Sequence, residues 1–140
     1  MPEFSNTSLK RLDSCHDDLV TLFTTLVSEY DCSILCGYRT KGAQESAFMD
    51  GKTTVHWPNS KHNSHPSMAV DAGPWPLDWE DIKAFCLFAG WVLATARRLF
   101  NEGLMKHRVR WGGDWDGDHK TTDQRLNDLV HFELIPNAAD

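Results

Sequence analysis

Apolar side chains recur at a helical period over residues 8–30, at Leu9, Leu12, Leu19, Leu22, Phe23, Leu26 and Val27. The period predicts one packing helix with a single buried stripe and no chemical role. Cys32 to Cys36 then reads as a short buried strand ended by Gly37, and residues 38–51 as a loop feeding a short helix that stops at Gly51. Residues 52–68 are rich in Ser, Thr, His, Asn and Pro and have no sustained period, which marks a long loop of the kind that carries function. Met68 to Ala72 alternates as a strand, with Ala69 and Asp71 on one face, and Gly73-Pro-Trp-Pro is expected to break it. A second helix is expected from an Asp78 cap to about Phe100, its face made by Ile82, Phe85, Cys86, Ala89, Val92, Ala96, Leu99 and Phe100, with Gly103 as its stop.

Val109 to Trp111 is a further candidate strand, followed by the tight turn Trp111-Gly-Gly-Asp-Trp115 and a polar loop over 116–127. The final run is Asp128-Leu-Val-His131-Phe-Glu133-Leu. Its alternation from Val130 to Leu134 directs Val130, Phe132 and Leu134 to a core and His131 and Glu133 into a cleft. Asp128 has the wrong parity for that strand and is expected on the turn leading in, leaning over whatever His131 holds. The elements together predict an α+β fold, a small, largely antiparallel sheet packed against two main helices, in one domain over residues 1–140.

Charge and cysteine content narrow the function classes. The formal net charge is −6, with no lysine or arginine run, so a nucleic-acid partner is not expected. No apolar stretch is long enough to span a bilayer, and Met1-Pro-Glu-Phe-Ser-Asn has neither a basic n-region nor an apolar h-region, so neither stable membrane association nor a signal peptide is expected. The cysteines at 15, 32, 36 and 86 read as reduced core residues, with Cys32 and Cys36 on one strand face.

Candidate chemistry concentrates in two segments. His131 and Asp71 both face away from the apolar side of a short strand, beside a turn rich in glycine or proline. Two nitrogens and one oxygen with an open fourth position suit a catalytic zinc, whose bound water has a pKa of roughly 7. The third ligand must come from the loop, where spacing alone leaves His62 and His65 open and His56 as a further choice; His16, His107 and His119 read as surface residues. Asp128 is placed to take a proton from the water and pass it to a leaving amine. Arg39 is placed to stabilise oxyanion charge or dock a substrate carboxylate, or else to pair with an acid at the surface. Glu133 would hold a ligand imidazole or form a cross-strand ion pair, and Asp114 would orient a ligand or brace its turn. Tyr38, Trp57, Trp75, Trp111 and Trp115 would floor a peptide subsite or pack in the core. The acidic stretches 114–118 and 123–128 raise calcium binding but lack the spacing of an EF-hand.

The ordered set Gly37-Tyr38-Arg39-Thr40, Ser60-x-His62, Ser67-x-Ala69-Val70-Asp71, Trp111-Gly-Gly-Asp-Trp115 and Asp128-x-x-His131-Phe132-Glu133 resembles the D-alanyl-D-alanine carboxypeptidase and dipeptidase family of metallopeptidases, on the side of the phage endolysin L-alanyl-D-glutamate endopeptidases. The resemblance implies a hedgehog/D,D-peptidase-like fold, zinc on His62, Asp71 and His131, Asp128 as general base and Arg39 as the substrate- and transition-state-binding arginine. The interval from His62 to Asp71 departs from the usual pattern by two extra positions, and Ser67 stands where glycine is usual. An aspartate at 128, where the dipeptidases have glutamate, points to the endolysin side. The implied substrate is the bacterial peptidoglycan stem peptide, cut by an enzyme held in the host cytoplasm until lysis. A D,D-carboxypeptidase releasing D-alanine and a non-catalytic, metal-containing wall-binding module are the alternatives.

Overall fold

A computed structural model describes residues 2–120 and 128–136. The sheet has the strand order β1-β2-β4-β3, from β1 (Cys32–Cys36), β2 (Ala69–Pro74), β3 (Arg108–Gly112) and β4 (Asp128–Ile135), with every neighbouring pair antiparallel. Helices α1 (Asn6–Asp13), α2 (Asp17–Val27), α3 (Lys41–Met49) and α4 (Ile82–Asn101) complete the α+β arrangement, with one 3₁₀ turn at Lys61–Asn63. The central strands β2 and β4 carry the core. Val70, Ala72, Phe132 and Leu134 are buried on one face of the sheet, beneath Leu19, Leu22, Phe23 and Leu26 of α2 and Phe88, Ala89, Val92 and Leu99 of α4. No helix among the described residues is long and apolar enough to cross a membrane.

Four expectations of local structure need correction. The single helix over 8–30 is two helices, because Ser14 to His16 leave the helical ladder to bond the loop before β2: His16 N–H donates to Ser67 O and Ser67 N–H to Ser14 O, each at 2.9 Å. His16 Nδ1 then caps α2 by accepting from Asp18 N–H at 3.0 Å. β2 runs through Gly73 to Pro74 because Gly73 and Pro74 pair with Ser33 and Cys32 on the edge strand β1, and proline is tolerated at a strand's end. α4 begins at Ile82, capped by Asp81 accepting from Ala84 N–H at 3.2 Å, while Asp78 accepts from Glu80 N–H in the turn before it.

The fourth correction bears directly on the site. Cys36 does not share a face with Cys32, because the register of β1 shifts between Ile34 and Cys36 and sets Cys36 opposite Asp71. One residue added to a period of two reverses every side chain beyond it. Cys32 is core, whereas the Cys36 thiol lies half-buried at the side of Asp71.

Candidate metal centre

Asp71 and its register partner on β4, His131, face the same side of the sheet. The third group arrives from the long loop. The 3₁₀ turn there is fixed by a reciprocal cap, Ser60 Oγ accepting from His62 N–H at 3.2 Å and Asn63 Oδ1 accepting from Ser60 N–H at 3.1 Å. It turns His62 inward until the residue is 2% exposed. His65, by contrast, is exposed and meets the Tyr38 ring edge-on at 5.0 Å.

His62 Nε2 lies 3.2 Å and His131 Nδ1 3.4 Å from one oxygen, Asp71 Oδ1. Donors held about 2.0–2.1 Å from a tetrahedral zinc stand roughly 3.3–3.4 Å apart, so the spacing fits that ion. The far nitrogens are also committed. His62 Nδ1 lies 2.7 Å from the Gly37 carbonyl oxygen and His131 Nε2 2.9 Å from Glu133 Oε1. Both of those partners accept, so those nitrogens carry hydrogen and the opposite nitrogen of each ring faces Asp71.

The electrostatics favour a cation at the shared point. Burial opposes charge on His62, yet Asp71 and the Cys36 thiol outweigh it and push the imidazole up to about 10. Burial likewise opposes charge on His131, and Asp71 and Glu133 prevail and raise it. Asp71 is held well below the usual carboxylate range, because the two histidines overcome the penalty of burying its charge. A carboxylate set between two buried imidazoles makes a cluster suited to a divalent ion in place of their protons.

A model of the phage L-alanyl-D-glutamate peptidase family matches residues 2–135. The chain belongs to this family. Among solved structures, the crystal structure of Serratia marcescens L-Ala D-Glu endopeptidase ChiX superposes with a TM-score of 0.71 at 24% identity, over 96% of this chain and 91% of that one. That likeness speaks for the fold. No curated protein sequence matches the chain.

In this member of the phage peptidase family Asp128 belongs to β4 itself, contrary to the expectation that it precedes the strand. The register of β4 against β3 jumps from Trp111↔Phe132 to Gly112↔Asp128, so Leu129 to His131 bulge and the parity argument fails across them. Trp111, 5% exposed, packs in the core and pins the bulge by donating its indole N–H to Leu129 O at 2.9 Å. Among the described residues the Asp128 carboxylate has no hydrogen-bond or ion-pair partner, and burial, with Asp71 nearby, raises its pKa. A Cβ on Gly112 would collide with the backbone oxygen of Asp128. Gly112→Ala is therefore expected to displace Asp128 and lower kcat by roughly 100-fold without loss of bound metal, as steady-state kinetics beside metal analysis would show.

Arg39 reaches the same centre, Nη2 lying 3.6 Å from Asp71 Oδ2. It is steered by a residue that sequence reasoning misses. Gln44 of α3, fully buried, accepts from Arg39 Nη1 at 3.0 Å and from Asn63 Nδ2 at 3.2 Å and donates to Val55 O at 2.6 Å. Cys36 is a second such neighbour of the site, its Sγ 3.9 Å from His62 Nδ1 and 3.7 Å from Arg39 Nη2. A lone glutamine within a short helix gives no signal in one sequence, and a bulge gives almost none.

Glu133 makes contacts on both sides: one oxygen accepts from His131, and the other lies 3.0 Å from Lys61 Nζ and 2.7 Å from Arg110 Nη2. Burial works against its charge, but His131, Arg110 and Lys61 prevail and hold it well below the ordinary 4.5. Its stabilising contribution is fully present above pH 4.5 and is lost as the pH falls below that value towards the folded pKa. Thermal melts should show Tm falling in that acid range for the wild type and a flatter acid limb for Glu133→Gln.

Trp115 lies 5.3 Å from the His131 ring, between centroids, which places it on the cleft. Tyr38 is tethered by its N–H to Ser14 Oγ at 2.9 Å. Asp114 braces its turn, Oδ2 accepting from His119 N–H at 3.0 Å, and is absent from the triad. Trp57 and Trp75 are 38% and 59% exposed, so neither is core. The surface positions expected for His16 and His107 do not hold: both are half-buried and grouped with Asp18, whose Oδ2 lies 2.8 Å from His107 Nδ1, because that carboxylate ties the start of α2 to the segment before β3. His119 is exposed, as expected. Of the acidic stretches, 114–118 groups Asp114, Asp116 and Asp118; all of 123–128 except Asp128 lies outside the described residues, as do 121–127 of the polar loop.

Proposed function

We propose that the protein is a zinc-dependent endopeptidase that hydrolyses the L-alanyl-D-glutamate bond of peptidoglycan stem peptides, acting as a phage lysis enzyme released on the wall from the host cytoplasm. Family membership supports the substrate class, and one observation supports the chemistry: three donors spaced for a tetrahedral ion beside an uncommitted carboxylate. His62, Asp71 and His131 would hold the zinc. When bound, it supplies Lewis acidity towards the scissile carbonyl and lowers the pKa of water.

The remaining work falls to the protein's own groups. Asp128 takes the proton of the attacking water at its carboxylate and delivers it to the leaving nitrogen. The Arg39 guanidinium, kept in orientation by Gln44, offers N–H groups to the oxygen that gathers charge or to a substrate carboxylate. Glu133 and the Gly37 carbonyl hold the two imidazoles in one tautomer.

Digestion of purified wall followed by amino-terminal analysis tests the reading. New glutamate termini that fail to form with Asp128→Ala support it. Free D-alanine in their place would identify a carboxypeptidase, and zinc binding without any hydrolysis a binding module.

A further inference from the structure

A cavity of about 480 Å³ lies between the C-terminal half of α4 and the edge strand β3. Its volume is in the range of small-molecule sites. In a protein of net charge −6, Arg97, Arg108 and Arg110 all line it. Among the described residues Arg97 and Arg108 have no carboxylate partner; Arg108 instead lies over the Phe100 ring, 5.3 Å from its centroid. Two buried polar atoms of the lining also lack hydrogen-bond partners there, one a donor and one an acceptor: Arg110 Nε and Asp114 Oδ1. Asp114 is 7% exposed, so water does not freely satisfy it.

We infer that this cavity binds a zwitterionic amino-acid centre, a carbon bearing both an ammonium and a carboxylate, at the side-chain end of a diamino acid in the stem peptide. The inference rests on the peptidase reading for the source of that ligand. A simple anion would meet the unpaired Asp114 oxygen, and a simple cation would meet the guanidinium groups of Arg97 and Arg108, Arg110 being paired with Glu133. A ligand carrying both charges satisfies both: its carboxylate takes N–H groups from the arginines, its ammonium donates to Asp114, and its methylenes lie on Phe100.

Trp115 lies 5.3 Å from the His131 ring and 5.7 Å from the guanidinium of Arg110, which lines the cavity. An extended peptide advances about 3.3–3.6 Å per residue, so two or three residues beyond the scissile bond match the span from His131 across Trp115 to Arg110.

The test uses two dipeptides that contain no scissile bond, γ-D-glutamyl-meso-diaminopimelate and γ-D-glutamyl-L-lysine, both amidated at the backbone carboxyl terminus. Only the first carries a side-chain carboxylate next to its ammonium. Calorimetric titration of the zinc-loaded protein should show the diaminopimelate dipeptide binding at least tenfold more tightly. That preference should vanish in Arg97→Ala/Arg108→Ala, whose side chains are exposed and whose fold is not at risk, and in Asp114→Asn. Equal affinity of the wild type for the two dipeptides, or a preference that survives in the arginine double variant, would overturn the inference. Because neither probe is hydrolysed, the outcome is separable from the peptidase reading. Wild type that cuts wall peptides without discriminating the probes removes the cavity alone, and discrimination without cutting removes the peptidase alone.

Discussion

His131→Ala and Asp71→Ala are each expected to abolish zinc binding and, with it, hydrolysis. Removing a hydrogen-bond partner outside the ligand set typically costs about 10–100-fold in metal affinity, and removing a ligand costs more. Asp71 carries the larger share here, because its Oδ1 is the point on which both imidazoles converge at 3.2 and 3.4 Å. Without it two buried histidines face each other with no anion between them, and their charged forms lose the group that raises both pKa values. Metal content after dialysis, with competition against a chelator of known affinity, provides the measurement. His65→Ala is the control, since its exposed ring lies outside the triad. Full metal occupancy in the Asp71 variant, or loss of metal from the His65 variant, would defeat the ligand assignment.

Asp128→Asn should give the opposite split: metal retained, turnover lost. General-base catalysis contributes typically 10²–10⁴-fold, so kcat should fall by about that factor, or roughly 3–5 kcal/mol of activation free energy. The pH profile separates this from a structural defect. A base works ionised, and burial together with Asp71 raises the Asp128 pKa above its ordinary 3.8. Wild-type kcat/KM should accordingly decline on the acid side as Asp128 takes up its proton, and the residual activity of Asp128→Asn should lack the same limb. Identical acid limbs in both proteins would remove Asp128 from the role of base.

The two predictions differ because the residues stand differently in the fold. Asp71 sits in the centre of a paired strand and is locked in register against His131. Asp128 sits at the far side of a bulge, held by the close approach of Gly112 and by the Trp111 indole on Leu129. Asp71 is fixed by the pairing of β2 with β4, and Asp128 by the irregular pairing of β4 with β3.

Much of this was legible in the residues themselves. The alternation from His131 to Leu134 puts His131 and Glu133 on one face and Phe132 and Leu134 in the core, whereas Val130, expected in the core, is only half-buried and Leu129 packs there instead, within the bulge; the period of α4 along Phe85, Ala89, Val92, Ala96 and Leu99 picks out its buried stripe. Such patterns are local: a side chain's direction follows from its own few neighbours and the period of the backbone. The break between α1 and α2 is hidden by the same logic, since Leu12 and Leu19 keep a helical spacing across residues whose backbone bonds run to Ser67. What the tertiary structure alone decided is which distant residues meet. His62 and His131 are brought to one oxygen by a capped turn and by the register of β2 against β4, while bulges near Cys36 and Asp128 re-aim both side chains. A period of two cannot reveal where a residue has been inserted into it, because the partner strand defines the insertion. Gln44, Arg110 and Asp114 acquire their meaning the same way, from groups that folding brings beside them.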